Sequence, residues 1–213
     1  MKKEIIDYIR RNRVSTTEVA DCLGKTGVLP GARPVNRGHF CVGEIYWIYA
    51  AYESNWYIHE LIQDIPKDCI VLVEPFHCNE RAMFGDLVSK YLLLYKQARS
   101  IVALGNLRDA PRLIKENWPI WCFGFSPVGC FNSQEKDIAS EVKAQHRGMY
   151  DGAIAVCDDS GVVVVPKGNH NQEFYDKLEF IEQQEDTWYD CIDRRKWTTF
   201  DTICLKKYKN EAN

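Results

Sequence analysis

Phe84-Gly85-Asp86-Leu87, a run from Leu87 to Ala98, Ser100-Ile101-Val102-Ala103-Leu104 and then Gly105-Asn106-Leu107-Arg108-Asp109 follow one another near the middle of the chain. From Leu87 to Ala98 the apolar residues recur at helical spacing, and the next five residues are the short apolar run of a buried strand. A helix followed by such a strand returns the chain to the rim of a sheet, where loops carry function. A carboxylate, Asp86, stands at the predicted helix start, where capping is its commonest use. An Arg-Asp pair stands just past the predicted strand end.

Working outward, the spacing predicts a helix over Lys3 to Arg11 and a second one after Ser15. Ser15 is a good N-cap, and Glu18 occupies the capping-box position. Leu29-Pro30-Gly31 marks a turn. Strands are expected near His39 to Ile48, over Cys69 to Val73 and over Trp118 to Phe123, with a short helix at Ala110 to Lys115 carrying Pro in its first turn. Ala153 to Cys157 and Val162 to Pro166 read as two strands joined by the tight turn Asp158-Asp159-Ser160-Gly161. From Gln172 the pattern is helical and charged. Short apolar strands alternating with helices indicate an α/β domain. The aromatic stretch from Tyr46 to Trp56 reads as core or subunit interface.

A chain of 213 residues can bury a full core as one domain. The net charge of -3, spread over both signs, gives no field for nucleic acid or an anionic membrane. No apolar run reaches bilayer length, and the N-terminus lacks the hydrophobic core of a signal peptide, so a cytoplasmic location is expected. The nine cysteines are odd in number and include no CxxC, and several lie in strand-like runs. They read as free thiols rather than as a disulfide framework, and no spacing argues for zinc.

Ser15-Thr16-Thr17-Glu18-Val19-Ala20-Asp21, Gly85-Asp86-Leu87, Gly105-Asn106-Leu107-Arg108-Asp109, Phe125-Ser126-Pro127 and Asp158 to Pro166 occur in that order. Taken together they resemble the RraA-like family. That family includes divalent-metal class II pyruvate aldolases, typified by the 4-hydroxy-4-methyl-2-oxoglutarate aldolases, and regulators of ribonuclease activity. The resemblance implies a compact β/β/α, swivelling-domain-like fold with a central sheet and flanking helices over residues 1–170. Residues 171–213 would form a C-terminal helical extension packed on the domain or on a neighbouring subunit of a homotrimer or dimer of trimers.

The resemblance further implies that Asp109 is the protein ligand to Mg²⁺ or Mn²⁺, with waters completing the shell. Arg108 would hold a carboxylate or enolate oxygen of a pyruvoyl group, and the backbone N–H groups of Leu87 and Val88 would receive the substrate carboxylate. Asp86 would help a metal-bound water act as base, and Glu182 or Glu185 would arrive from a neighbouring subunit. The implied reaction cleaves a 4-hydroxy-2-keto acid to pyruvate and a second carbonyl compound, and extends to oxaloacetate decarboxylation.

Twenty-one residues separate Asp86 from Arg108, one more than in the aldolases, and the helix-to-strand loop near Lys96 to Ser100 is the expected place for it. Glu74 to Glu80 is bulkier than the family's Asp-Gly-Gly-like turn, and His77 sits there as a loop residue or a substrate contact. These departures keep two alternatives open. One is a non-catalytic regulator that binds a protein partner such as a ribonuclease or helicase. The other is an enzyme of this fold acting on a modified sugar acid. Retention of Asp109, which the regulators often lack, favours the metal site.

Overall fold

The computed structural model describes residues 1–134 and 136–211; residues 212 and 213 of the expected C-terminal extension lie outside them. The elements, in chain order, are helices α1 (Lys2–Asn12) and α2 (Thr16–Cys22), strands β1 (Arg33–Pro34) and β2 (Cys41–Ala51), and helix α3 (Trp56–Leu61). Then come β3 (Ile70–Phe76), α4 (Asp86–Lys90), β4 (Ser100–Leu107), α5 (Ala110–Lys115) and β5 (Ile120–Phe125). The chain continues through α6 (Ser140–Tyr150), β6 (Ile154–Asp158), β7 (Gly161–Val165), α7 (Gln172–Asp193) and α8 (Tyr208–Glu211). Among the described residues the seven strands form one mixed sheet in the order β1-β5-β4-β3-β2-β6-β7. Strands β2 to β5 are parallel, and β1, β6 and β7 are antiparallel to their neighbours. The architecture is the α/β class that the alternation predicts.

Strand alternation sorts the core. On β2, Ile45, Trp47 and Tyr49 enter one cluster with Ile70, Leu72, Val102 and Trp121, while Ile48 and Ala50 point the other way. That other face is covered in two halves. Ile58 of α3, Val88 of α4 and Leu113 of α5 pack over the parallel strands. Ile5 and Ile9 of α1, Val19 of α2, and Phe174 and Leu178 of α7 pack over β6 and β7. Each parallel strand therefore ends at the same rim, with a helix following it.

The segment 27–34 joins the two sheet edges. Leu29 N–H donates to Val162 O at 2.9 Å, Val164 N–H to Gly27 O at 2.8 Å, and Arg33 then pairs with Cys122 of β5. Gly27 holds φ +87°, and a Cβ there would lie 2.7 Å from Val164 O, so the crossing needs glycine. The predicted capping box is present: Ser15 Oγ accepts from Glu18 N–H at 3.2 Å and Ser15 N–H reaches Glu18 Oε2 at 2.7 Å. The expected tight turn joins β6 to β7, and its Asp158 also accepts from Thr16 N–H and Oγ1 at 2.8 Å each.

Part of the aromatic stretch is core: Trp47 and Tyr49 are buried and stack at 5.3 Å, and Tyr49 stacks on Tyr57 at 5.2 Å, while Trp56 is exposed. Behind them the buried carboxylate of Glu74 accepts from Trp47 Nε1 at 2.6 Å and pairs with His146 Nδ1 of α6 at 2.8 Å. Glu74→Ala would leave both partners without their acceptor, and we expect it to lower unfolding free energy by about 2–3 kcal/mol, read as a drop in the urea midpoint. An unchanged midpoint would show that the pair contributes nothing to holding α6.

The helix expected from Leu87 to Ala98 is shorter and wider than its spacing suggests. After α4, residues Tyr91–Tyr95 form a π turn, with Lys96 N–H bonded to Tyr91 O at 2.9 Å. An i→i+5 turn holds one residue more than an α turn, which widens the helix locally. Among the described residues no helix is long and apolar enough to cross a membrane.

Candidate functional site

The pairing of β4 with β5 shifts register between Ala103 and Asn106. Such bulges re-aim the residues that follow. Leu107 stays fully buried, and Arg108 and Asp109 emerge past the strand end. Asp109 lies in the left-handed region at φ 60°, ψ 35°, as the N-cap of α5, a sparsely populated conformation for a non-glycine residue.

The segments 83–86 and 106–109 are laced together. Met83 N–H donates to Asn106 O at 2.9 Å, Arg108 N–H to Phe84 O at 2.9 Å, and Asp86 N–H to Asp109 Oδ2 at 3.2 Å. Asp86 stands at the helix start, as expected, but it is not the cap. Gly85 is the N-cap of α4 and has no side chain to offer, so Asp109 reaches across from the other segment to satisfy the Asp86 amide. The close approach depends on Gly85, where a Cβ would sit 1.9 Å from Asp109 Oδ2.

Arg108 Nε lies 3.6 Å from Asp109 Oδ2, and the two side chains are 50% and 40% exposed. An ion pair this open contributes little to stability, which leaves both groups available to a ligand. Behind Arg108 runs the backbone of Gly129, where a Cβ would meet Nη1 at 2.9 Å. The amides of Leu87 and Val88, in the first turn of α4, have no carbonyl one turn back to bond. The same two residues, with His59, Ile62 and Tyr91, line an apolar cavity of about 280 Å³ beside the site. Sequence reading did not single out three further members of this region. Asn106 Nδ2 reaches Glu80 O and Oε2 at 3.2 Å each, and Gly129 backs the arginine. Only the Gly-Asn lead into Arg108 hinted at the first of them.

The donor set can be tested against a divalent ion. Asp109 and Asp86 bring hard carboxylate oxygens from adjoining segments, and among the described residues no group of three or more His, Cys, Asp and Glu gathers to form a cage. One or two carboxylates with retained waters is how small hard cations such as Mg²⁺ bind, and the carboxylates of these two segments are donors of that kind.

The remaining candidates lie elsewhere in the chain. Glu182 of α7 accepts from Tyr8 Oη and, at 3.4 Å, from Asn12 Nδ2. Glu185 lines the same acidic cleft as Glu182, Glu18 and Asp186. Burial and the nearby Glu18, Asp21 and Asp186 push its carboxyl above the usual carboxylate range. Neither joins Asp86 and Asp109 within one chain. His77 stacks on Tyr52 at 4.9 Å, and His39 pairs with Asn117 at 3.2 Å. A larger cavity of about 680 Å³ opens at the opposite ends of the parallel strands. Lysines, arginines and carboxylates line it together, with ion pairs Lys2–Glu44 at 2.6 Å and Arg99–Asp68 at 2.8 Å.

Known proteins resemble this chain in sequence and in fold. A protein named "Putative 4-hydroxy-4-methyl-2-oxoglutarate aldolase" from Halalkalibacterium halodurans is 28% identical over 171 residues, covering 79% of this chain and 80% of that one. The fold matches Streptomyces coelicolor RraAS2, described as an unusual member of the RNase ES inhibitor RraA protein family, with TM-score 0.68 at 24% identity over 86% of this chain and 96% of that one. It also matches the RNA-processing inhibitor RraA from Thermus thermophilis, with TM-score 0.57 at 15% identity over 71% and 92% of the two chains. At these identities the two structures speak to fold alone. The family description RraA-like (Aldolase/RraA) matches residues 16–164, most of the sheet and both site segments, and the chain belongs to that family.

Proposed function

We propose that this protein is a divalent-metal-dependent carbon–carbon lyase that cleaves a 4-hydroxy-2-keto acid to pyruvate and a second carbonyl compound. The observation that carries the reading is the lacing of Gly85-Asp86 to Arg108-Asp109, which presents a carboxylate and a guanidinium side by side at the open end of β4.

Cleavage beside a keto acid leaves negative charge on the pyruvate enolate, and catalysis consists of stabilising that charge where it develops. Arg108 offers a planar fork for the carboxylate or enolate oxygens. The first-turn amides of Leu87 and Val88 point their partial positive charge at the substrate carboxylate. Asp86 serves proton removal from the substrate hydroxyl. Asp109 would hold Mg²⁺ or Mn²⁺, which when bound supplies Lewis-acid stabilisation of the same charge. Loss of CO₂ from oxaloacetate generates the same enolate, so the same residues serve decarboxylation.

The chain by itself supplies only part of the site's wall. Leu87, Leu94 and Tyr95 stand exposed on the helical segment beside it. This is apolar surface for a neighbouring subunit, and we propose a homotrimer or dimer of trimers in which that subunit, with Glu182 or Glu185 as its acidic contribution, completes the site.

The test is pyruvate release from 4-hydroxy-4-methyl-2-oxoglutarate and from oxaloacetate, with Mn²⁺ or Mg²⁺ and again with EDTA. We expect metal-dependent, EDTA-sensitive release. Protein that binds Mn²⁺ yet releases pyruvate from neither compound overturns the substrate class. Protein that binds no Mn²⁺ overturns the lyase reading altogether.

A further inference from the structure

Two cysteines 52 positions apart in sequence meet beside the candidate site. Cys78 follows β3 and Cys130 follows β5, and backbone bonds draw the two loops together. Arg81 N–H donates to Cys78 O at 3.1 Å, Ala82 N–H to Val128 O at 2.8 Å and Cys130 N–H to Ala82 O at 2.9 Å. Arg81 tightens the junction: Nη1 donates to Gly129 O at 3.0 Å, and the guanidinium lies 4.5 Å over the Phe131 ring. Both sulfurs pack in the cluster under α3, α4 and α5, where Cys78 is buried and Cys130 half-buried. These bonds set the backbone of Cys130 directly against Ala82, four residues on from Cys78, and both cysteine side chains join the same cluster.

We propose that Cys78 and Cys130 form a dithiol modification site, oxidised by hydrogen peroxide to a disulfide that clamps the 77–82 loop to the 126–131 segment behind Arg108. The lyase reading is not needed for this inference.

The two sulfurs have complementary roles. The neighbouring Cys130 side chain, with help from the Glu53 backbone, holds the Cys78 thiol below its usual range against the opposing effect of burial. The same contact holds the Cys130 proton in place until Cys78 has reacted. Thiolate character marks Cys78, and the half-buried Cys130 opens the pair to solvent. Cys41 and Cys157 face each other across β2 and β6, but burial pushes both thiols up. They are the internal control.

In the first step the Cys78 thiolate attacks one peroxide oxygen. The O–O bond breaks, hydroxide leaves and takes a proton to become water, and Cys78 becomes a sulfenic acid. The Cys130 sulfur then gives up its proton and attacks the Cys78 sulfur; the S–O bond breaks, a second water forms and the S–S bond closes. The two thiols together lose two electrons, which reduce one hydrogen peroxide to two waters. Gly129, adjacent to Cys130, is the residue whose backbone lies against Arg108, so the bridge would fix the wall on which that side chain rests.

The test is peptide mapping of the full-length protein treated with equimolar hydrogen peroxide, with free thiols alkylated and no reductant in the digest. The expected product is a Cys78–Cys130 cross-linked peptide that dithiothreitol returns to thiols, with Cys41 and Cys157 alkylated only after unfolding. In Cys130→Ser, Cys78 should stop at a sulfenic acid that dimedone captures. The wild-type map stands even if that variant folds poorly. Oxidation confined to other cysteines such as the exposed Cys204, or pairing of Cys78 with any other partner, would overturn the proposal.

Discussion

Replacing Asp109 with Asn, or Arg108 with Ala, is expected to abolish pyruvate release while leaving the fold intact. Asn keeps the size of Asp109 and an oxygen able to accept from the Asp86 amide, so the cap on α4 survives. What it removes is the negative charge that would hold a divalent ion. Arg108→Ala removes a half-exposed side chain from a solvent-screened ion pair, so its structural cost is small. Its catalytic cost is the loss of a positive group aimed at developing charge, roughly 10²–10³-fold or more in turnover. Mn²⁺ binding separates the two variants: Asp109→Asn should lose it and Arg108→Ala should keep it. Turnover at the wild-type level in either variant, with an unchanged urea midpoint, would sink the assignment of these residues.

Gly85→Ala should be comparably damaging although it adds a single methyl group. The new carbon would lie 1.9 Å from Asp109 Oδ2, 2.8 Å from Arg108 Cγ and 2.9 Å from Asp109 Cγ. None of these approaches is tolerable, so something must move. The backbone at φ -140°, ψ -143° lies outside the extended region that L-residues favour, which adds local strain, and the colliding atoms belong to two exposed side chains. The site gives way and the core does not. We therefore expect turnover to fall ~10²–10³-fold, the size of a lost transition-state contact, with a stability loss of about 1–3 kcal/mol from the strained backbone. Gly129→Ala is the informative contrast, because its Cβ would meet only the mobile end of Arg108, and its effect should be much smaller. The pair is read from kcat/KM and the urea midpoint; equal, near-normal activity in both would show that the close approach at Gly85 has no functional consequence.

The parts of the fold that local chemistry writes into the chain were legible in the sequence. The Ser15 and Glu18 capping box, the apolar runs of β3 and β4 and the turn at Asp158 to Gly161 each contain their own signal, and the structure forms each one. The site segments were legible too, because a Gly-Asp at a helix start and an Arg-Asp after a strand are short motifs. What escaped depends on distant partners. Helix α6 buries none of its residues deeply, so no apolar stripe announces it; the contact of His146 with Glu74, 72 positions away, helps hold it. The cap on α4 comes from Asp109, which no reading of 84–90 alone could assign. The stretch from Glu74 to Glu80 reads as bulky, yet β3 runs on to Phe76 and the chain turns through His77 and Asn79 at positive φ.

The crossing of segment 27–34 also bears on how this sheet behaves in crowded solution. An open sheet ends in two rows of unpaired peptide groups, each a template for another chain to add to. Here one terminal strand is only Arg33–Pro34, and its proline has no N–H to offer. The other terminal strand, β7, is partly occupied by Gly27 and Leu29 through their bonds to Val164 and Val162. The same few residues that join the edges thus leave the valine-rich strand Gly161–Val165 little room to recruit a foreign strand.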